Sequence, residues 1–414
     1  MSYKELKSLS YGNNEIYTQE YLSRFNSEEA VKIDFQIGKH QAFFLQNAEV
    51  MTYAYKIARL DKEIAKLCDT LPGVALNQYS KKCLIDEIVI TNKIEGIHSS
   101  RKEIGEALDV LESQTKSKGK NQRFISLVNK YLKLIQNEQI SLKDCEDIRD
   151  IYDEVFLEEV INEDPGNKPD GKFFRKEAVS VYSETDKVIH TGLTPESKII
   201  EATTAALRFL NDESVEELFR ICIFHYLIEY IHPFYDGNGR LGRFILSYGI
   251  SNILSPLISF RISETIKESI KAYYKAFKAC NDPRNLGDLT PFLLMQLGMI
   301  LSSMQELKKS LEEKLLTWNK YKQMVKEWCS NVELFRLYNF LIQASLFSEK
   351  GISMSELEKN MKKSKYIIKN LLDEISEDML VIKKKGNFKF YSINLENLHA
   401  RMFEESLEAI EKTN

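Results

Sequence analysis

The segment His232-Pro-Phe-Tyr-Asp-Gly-Asn-Gly-Arg-Leu-Gly-Arg243 packs a titratable base, a carboxylate, a glycine-rich turn and two arginines into consecutive residues. Residue types in this combination point to phosphate chemistry. Gly237 and Gly239 let successive amide N–H groups face one concavity. The amides and dipole of a following helix N-terminus favour an anion at the same place. Arg240 and Arg243 are three apart, so they share a helix face and can fork onto phosphate oxygens. Asp236 is a hard oxygen ligand suited to a magnesium ion that also holds phosphates. His232 titrates near neutral pH and can accept a proton from a hydroxyl. A lone His-Pro or Gly-x-Gly is ordinarily a turn and nothing more; the fixed spacing of the whole set carries the reading.

Two helices must hold this turn. Residues 219–231 (FRICIFHYLIEYI) are densely apolar, contain no Gly or Pro and suit a buried helix. Pro233 ends it by removing a donor and restricting its predecessor. Residues 240–254 (RLGRFILSYGISNIL) read as a second apolar helix. Helix, glycine-rich turn, helix N-terminus is the predicted layout.

With these residues in view, HPFYDGNGRLGR resembles the signature of the Fic family, HPFx[D/E]GN[G/K]RxxR, without a departure. The resemblance implies an enzyme that transfers a nucleoside monophosphate, usually AMP from ATP, to a hydroxyl of a protein. By position, His232 would deprotonate the target Ser, Thr or Tyr, and Asp236 would hold Mg²⁺. Asn238, with the backbone of Gly237 and Gly239, would hold the α-phosphate. Arg240 and Arg243 would take the β- and γ-phosphates, and Phe234 would anchor the loop. Relatives that phosphorylate carry Lys where this chain has Gly239, which favours AMP transfer. The hydroxyl would attack in line and pyrophosphate leave, with positioning and electrostatics as the protein's contribution.

A second pattern lies upstream. Residues 84–94 (LIDEIVITNKI) suit a helix that ends at Glu95, with Gly96 as a left-handed cap. On residue type alone Glu95 is a solvated surface carboxylate. The spacing Thr91-x-x-x-Glu95-Gly96 nevertheless resembles the inhibitory motif [S/T]xxxE[G/N] of self-restrained Fic proteins, in the group whose inhibitory helix precedes the core. The resemblance implies that Glu95 pairs with Arg243 and displaces the γ-phosphate. That is a competition between a bidentate carboxylate and a phosphate for one guanidinium. It equally admits Glu95 as the residue orienting water to remove AMP from modified targets.

Residues 173–192 (FFRKEAVSVYSETDKVIHTG) read as a β-hairpin about a polar turn at 183–186, approached by the turn-rich 164–171. The resemblance makes it a flap that clamps an extended stretch of target by main-chain pairing. Residues 41–71 read as one or two helices after a polar lead-in. The stretch 97–162 reads as helical with a polar loop at 113–121, and 304–328 as a connecting helix. Beyond it, helices over 331–344, 353–361 (capped by Ser353) and 363–375 precede two strands in 379–393, an order that resembles a winged helix-turn-helix. Lys362, Lys363, Lys365, Lys369 and Lys383 to Lys385 would suit phosphate contact there, against nearby Asp373, Glu374, Glu377 and Asp378.

The fold class is thus mainly α: a Fic-type helical core with a hairpin flap, then a small α+β winged-helix domain. Expected domains are an N-terminal helical region over 1–75, a catalytic core over 76–325 with its inhibitory helix at about 84–96, and a terminal domain over 330–400. The chain's 414 residues, 43% hydrophobic and 29% charged content, and six cysteines without Cys-x-x-Cys pairing suit a reduced cytoplasmic protein without a membrane span. A net charge of −4 argues against a chain generally coated by nucleic acid. Expected partners are ATP with Mg²⁺, a protein bearing the target hydroxyl, DNA or protein at the winged helix, and a second copy in a homodimer. The competing reading is a DNA-binding regulator whose core senses nucleotide or modifies only itself.

Overall fold

A helix that is apolar all round must be buried on every side. Glu217–Ile231 is such a helix, and its side chains from Ile221 to Ile228, His225 included, are buried. Asn238–Ile253 and Glu196–Leu210 pack against it. An aromatic cluster fills the space beside it: Tyr226 stacks on Phe277 at 5.2 Å, and Phe277 meets Phe292 edge-on at 4.7 Å. The turn between the two apolar helices is therefore mounted on a closely packed core.

The computed structural model describes residues 3–113, 123–136, 138–182, 188–385 and 388–413. The expected loop residues 114–121, the hairpin turn 183–186 and Gly386-Asn387 lie outside these. Two compact units emerge, one of residues 1–62 with 84–305, the other of 63–83 with 306–414.

In the first unit the N-terminal stretch departs from the expected helices. Leu6–Leu9 and Asn14–Phe25 are helical, the latter capped by the Asn13 side chain. Ala30–Ile37 and His40–Leu45, however, form an antiparallel hairpin. Residues 41–45, expected as helix, are strand, and the helix begins at Ala48. The reason is long-range pairing. The Phe43 amide donates to the Gly287 carbonyl at 3.0 Å and accepts from Leu289 N–H at 2.7 Å through its own carbonyl. Short apolar runs such as Ala-Phe-Phe-Leu do not declare helix or strand by periodicity.

The flap strands, Ser180–Tyr182 and Val188–Thr191, pair antiparallel with Val181 opposite His190. Its turn-rich approach is fastened by carboxylates. Asp170 accepts from the Lys176 amide at 3.0 Å and the Tyr235 hydroxyl at 2.9 Å, while Glu196 accepts from the Phe173 and Phe174 amides.

The second unit carries the expected helices as Val332–Phe347, Met354–Met361 and Lys365–Asp373. Ser353 caps the second of these in a reciprocal box with Glu356. Three antiparallel strands follow one sheet order, with Phe388–Ile393 between Ile352–Ser353 and Leu380–Lys385. The helix Leu395–Thr413 was not foreseen. Among the described residues no helix is long and apolar enough to cross a membrane.

Candidate active site

His232 stands one residue beyond Glu217–Ile231, its backbone left-handed at φ 53° and its amide still donating to the Ile228 carbonyl at 2.9 Å. Such a conformation is strained for a residue with a Cβ and marks functional turns. Two aromatic contacts and one amide hold the turn in place. Phe234 is fully buried, stacked on Tyr152 at 3.6 Å and edge-on to Phe174 at 5.5 Å. The Asn238 side chain accepts from the Phe234 amide at 2.9 Å and donates to the Phe234 carbonyl at 2.8 Å. Its amide group is thereby committed to the shape of the loop. Gly237, at φ 80°, precedes Asn238–Ile253 in a left-handed conformation, and a Cβ there would press on the Tyr152 ring at 3.3 Å. The Tyr152 hydroxyl donates to the Asp236 carbonyl at 3.1 Å, and the Asp236 carboxylate accepts from the Gly237 amide at 2.6 Å.

The two arginines of the motif have different surroundings. Arg243 is almost fully buried and two of its three nitrogens are engaged: Nε donates to the Thr91 hydroxyl at 2.8 Å, and Nη2 to the Thr91 carbonyl at 3.2 Å and Glu95 at 2.6 Å. The expected bidentate pair is thus a single carboxylate contact, because the Thr91 hydroxyl takes the second arm of the fork. Thr91 and Glu95, four apart at the end of Gly73–Ile94, close on one guanidinium together. Gly96 at φ 75° turns the chain immediately afterwards, as its position suggested. A Cβ at Gly239 would strike the Glu95 carboxylate, which places Glu95 directly over the turn. Burial pulls the Arg243 pKa down, but Glu95, Tyr273 and Glu229 raise it further, so the guanidinium stays charged.

Arg240 is fully buried as well, but only Nη1 is engaged, by Glu159 at 2.5 Å. Its Nε and Nη2 have no hydrogen-bond partner among the described residues. Phe156 lies under the guanidinium at 5.2 Å. Glu159 shares its charge with Arg123, whose Nη2 sits 2.8 Å away. A buried guanidinium with idle donors is costly unless something anionic completes it.

Around the base, burial dominates. Desolvation lowers the His232 imidazole to about 4, with His190 and Arg175 adding to the fall and Glu95 opposing it. The ring is therefore neutral at neutral pH and able to accept a proton. Glu229, one turn earlier, is pushed up to about 7 by burial against the pull of Arg243. His225, bonded to the Tyr273 hydroxyl at 2.7 Å, is driven down to about 3 by desolvation.

Three supports had no signal in the spacing: Tyr152, Glu159 and Arg175. Arg175 lies in Phe-Phe-Arg-Lys at the foot of the flap, and nothing about that string announces a buried cation. For a divalent ion, no group of three or more His, Cys, Asp or Glu side chains gathers among the described residues. Asp236, half-buried with one oxygen accepting from Gly237, fits the magnesium habit of one carboxylate completed by substrate phosphates and water.

Residues 142–248 match the Fic/DOC family. Over 106 residues the chain is 32% identical to protein adenylyltransferase fic-1 of Caenorhabditis elegans, 25% of this chain and 19% of that protein. Its Caenorhabditis briggsae counterpart matches at the same identity and shares. The likeness thus spans about a fifth of the length of these curated relatives. A crystal structure of a Fic family protein from Desulfovibrio desulfuricans G20 shares the fold at TM-score 0.50 and 17% identity, covering 84% of this chain and 97% of that one. The chain carries, over residues 142–248, a domain of the Fic/DOC family.

Proposed function

We propose that the chain is a protein adenylyltransferase, moving AMP from ATP to a Ser, Thr or Tyr hydroxyl of a protein, itself included, and restrained by Glu95. The observation that carries the reading is the asymmetric cradle: Arg240 keeps two buried donors idle while Arg243 is closed by Thr91 and Glu95. Polyphosphate approaching the turn meets Arg240 and the positive end of Asn238–Ile253. Its terminal phosphate can reach Arg243 only when Glu95 leaves, because one guanidinium arm cannot serve both anions.

His232, neutral and beside the flap, takes the proton as the target oxygen attacks the α-phosphorus. The bond between the α-phosphorus and the β-bridging oxygen breaks, and pyrophosphate departs with the electron pair. Charge that develops on the leaving group falls to Arg240, Arg243 and the loop amides. Asp236 would hold Mg²⁺, which supplies positive charge to the phosphates when bound. The flap strands offer main-chain groups to an extended target segment. Support for AMP as the group transferred comes from Gly239, and from the name borne by the Caenorhabditis relatives. Six scattered cysteines without Cys-x-x-Cys pairing support a reducing, cytoplasmic setting.

The test offers α-labelled ATP and Mg²⁺ to the wild type, Glu95→Gly, and Glu95→Gly with His232→Ala. Self-labelling should rise about tenfold or more on removing Glu95, the scale of a coupling of 1–3 kcal/mol. It should then fall by at least a hundredfold on removing the base. Equal labelling by the first two proteins rejects the brake, and undiminished labelling by the third rejects His232 as base.

A second reading concerns the C-terminal unit. Lys365, Tyr366, Lys369 and Asn370 are exposed together on Lys365–Asp373, with Lys384, Phe388 and Lys389 exposed on strands of the same unit. This basic, aromatic surface supports a winged-helix contact with duplex DNA. Salt-dependent binding of the whole chain to duplex, lost in Lys365→Glu with Lys369→Glu, is the expected result; salt-independent or unchanged binding rejects it.

A further inference from the structure

Arg175 is fully buried, yet it meets no carboxylate among the described residues. Its guanidinium instead donates to three main-chain carbonyls. Nε reaches the carbonyl of His232 at 2.9 Å, Nη2 that of Leu193 at 2.9 Å, and Nη1 that of Glu177. Its own amide donates to the Pro233 carbonyl at 3.2 Å. Burying a cation against dipoles alone is expensive, so the arrangement needs a reason. The partners supply one. Glu177 lies just before the first flap strand, Leu193 just after the second, and His232 carries the base.

Other contacts converge on the same point. The Leu193 amide donates to the Ile231 carbonyl at 3.1 Å, and Gly192 donates to the Val179 carbonyl at 2.9 Å. His190, on the second strand, places its Nε2 2.6 Å from the Tyr230 carbonyl. A Cβ on Gly192 would collide with Arg175 Nη2 and lie 2.9 Å from the His232 Cβ, so the guanidinium fills the space between flap and base without slack. Only a planar fork with several fixed donors can bridge three carbonyls this way; an ammonium cannot.

We infer that Arg175 is a positioning residue that clamps both feet of the flap to the backbone of His232, so that target-binding flap and base keep one fixed geometry. The inference rests on the reading of His232 as the base. Through the His232 carbonyl the clamp also holds the left-handed turn that aims the imidazole, and its charge adds to what keeps the ring unprotonated. A base and an acceptor misplaced by an ångström lose about a hundredfold in rate.

The test uses the full chain in the Glu95→Gly background, with Arg175→Met and Arg175→Lys. The Met variant should lose about a hundredfold in kcat while KM for ATP changes by less than about threefold, since no nucleotide contact is removed. Its His232 ring, followed by NMR with His232→Ala as the assignment control, should titrate at higher pH than in the parent. Amide exchange across 177–182 and 188–193 should quicken. The Lys variant should keep the low His232 titration, because the charge remains, and still lose most of kcat. Parental kcat in either folded variant overturns the inference. So does a Met variant with an unmoved His232 titration and unmoved flap exchange. Should the Met variant not fold, the Lys variant decides alone by kcat and flap exchange. Should the Glu95→Gly parent transfer no label, the functional reading fails by itself, and the titration and exchange still judge the clamp.

Discussion

The two arginines of the cradle lie one helical turn apart on the same helix, yet their surroundings are opposite. Arg243 has Thr91 and Glu95 on its fork; Arg240 has Glu159 on one nitrogen and, among the described residues, no hydrogen-bond partner on the other two. Burial is equal, so exposure does not explain the difference. Origin of the partner does. Glu159 comes from the helix Glu158–Glu163 and also holds Arg123, an arrangement that orients Arg240 while leaving donors spare. Thr91 and Glu95 come from the end of a helix and cover the turn itself. One half of the cradle is prepared for an anion and the other is already occupied by one. Under the proposed function, binding a nucleotide and using it productively are then separable events.

The sharpest way to break this contrast is to delete each arginine and measure nucleotide affinity by calorimetry. Arg240→Ala in the otherwise unchanged chain should weaken ADP or ATP by about ten- to a hundredfold, the scale of lost charge-assisted hydrogen bonds. Arg243→Ala should cost less than about threefold, because its Nε and Nη2 are already engaged by Thr91 and Glu95. With Glu95→Gly in place, Arg243→Ala should cost ATP about tenfold and ADP little. Equal losses for the two single variants would show that the closed half opens freely and that the contrast has no functional meaning.

Thr91 tests the same half with a smaller lever. Its hydroxyl holds Arg243 Nε at 2.8 Å, a bond to a charged group worth about 1–2 kcal/mol. Thr91→Val keeps the β-branched shape and removes the acceptor. Self-labelling should rise by several-fold, short of the Glu95→Gly level, since the carboxylate contact remains. A rise equal to that of Glu95→Gly would mean that the hydroxyl, and not the carboxylate, restrains the site.

How much of this was legible beforehand follows from where each partner sits in the chain. The cradle could be read because its chemistry is contiguous: base, carboxylate, glycines and arginines occur within 232–243. Glu95 was legible only through the resemblance of Thr91-x-x-x-Glu95-Gly96 to the inhibitory motif, since its residue type alone reads as a solvated surface carboxylate. The supports were not, since they arrive from far away. Arg175 is 57 residues from His232, Glu159 is 81 from Arg240, and Tyr152 is 84 from Asp236. No local period encodes such pairings. The N-terminal hairpin failed for the same reason, with Phe43 fixed as strand by Gly287 and Leu289. There a signal did exist: Ile33, Phe35 and Ile37 alternate with Asp34 and Gln36, the period of a half-buried strand. The single Glu95 contact, in place of a bidentate one, could not be foreseen from types alone because Thr91 and Glu95 compete for one fork.

The closed half also rests on a buried acid one turn before Thr91. Glu87 is fully buried and accepts from the Ser263 amide at 3.0 Å and the Ser263 hydroxyl at 2.6 Å. Burial pushes its pKa from 4.5 up to about 7, against the lowering effect of Ser263 and Arg243. The folded value lies above the unfolded one, so the protonated carboxyl favours the folded state. That contribution is complete below pH 4.5 and is lost as pH rises through about 7. Glu87→Gln keeps an acceptor for Ser263 but cannot ionise. Between pH 5 and pH 8 the wild type should therefore lose stability relative to this variant, by an amount on the order of 3 kcal/mol at most and a few degrees in Tm. Parallel melting curves across that window would place the proton elsewhere. They would leave Arg243 closed by Thr91 and Glu95 without any aid from the helix's buried anchor. Because Glu87 touches neither the turn nor Arg240, the open half should keep its ADP affinity in the variant, which separates an anchor for the brake from a general weakening of the core.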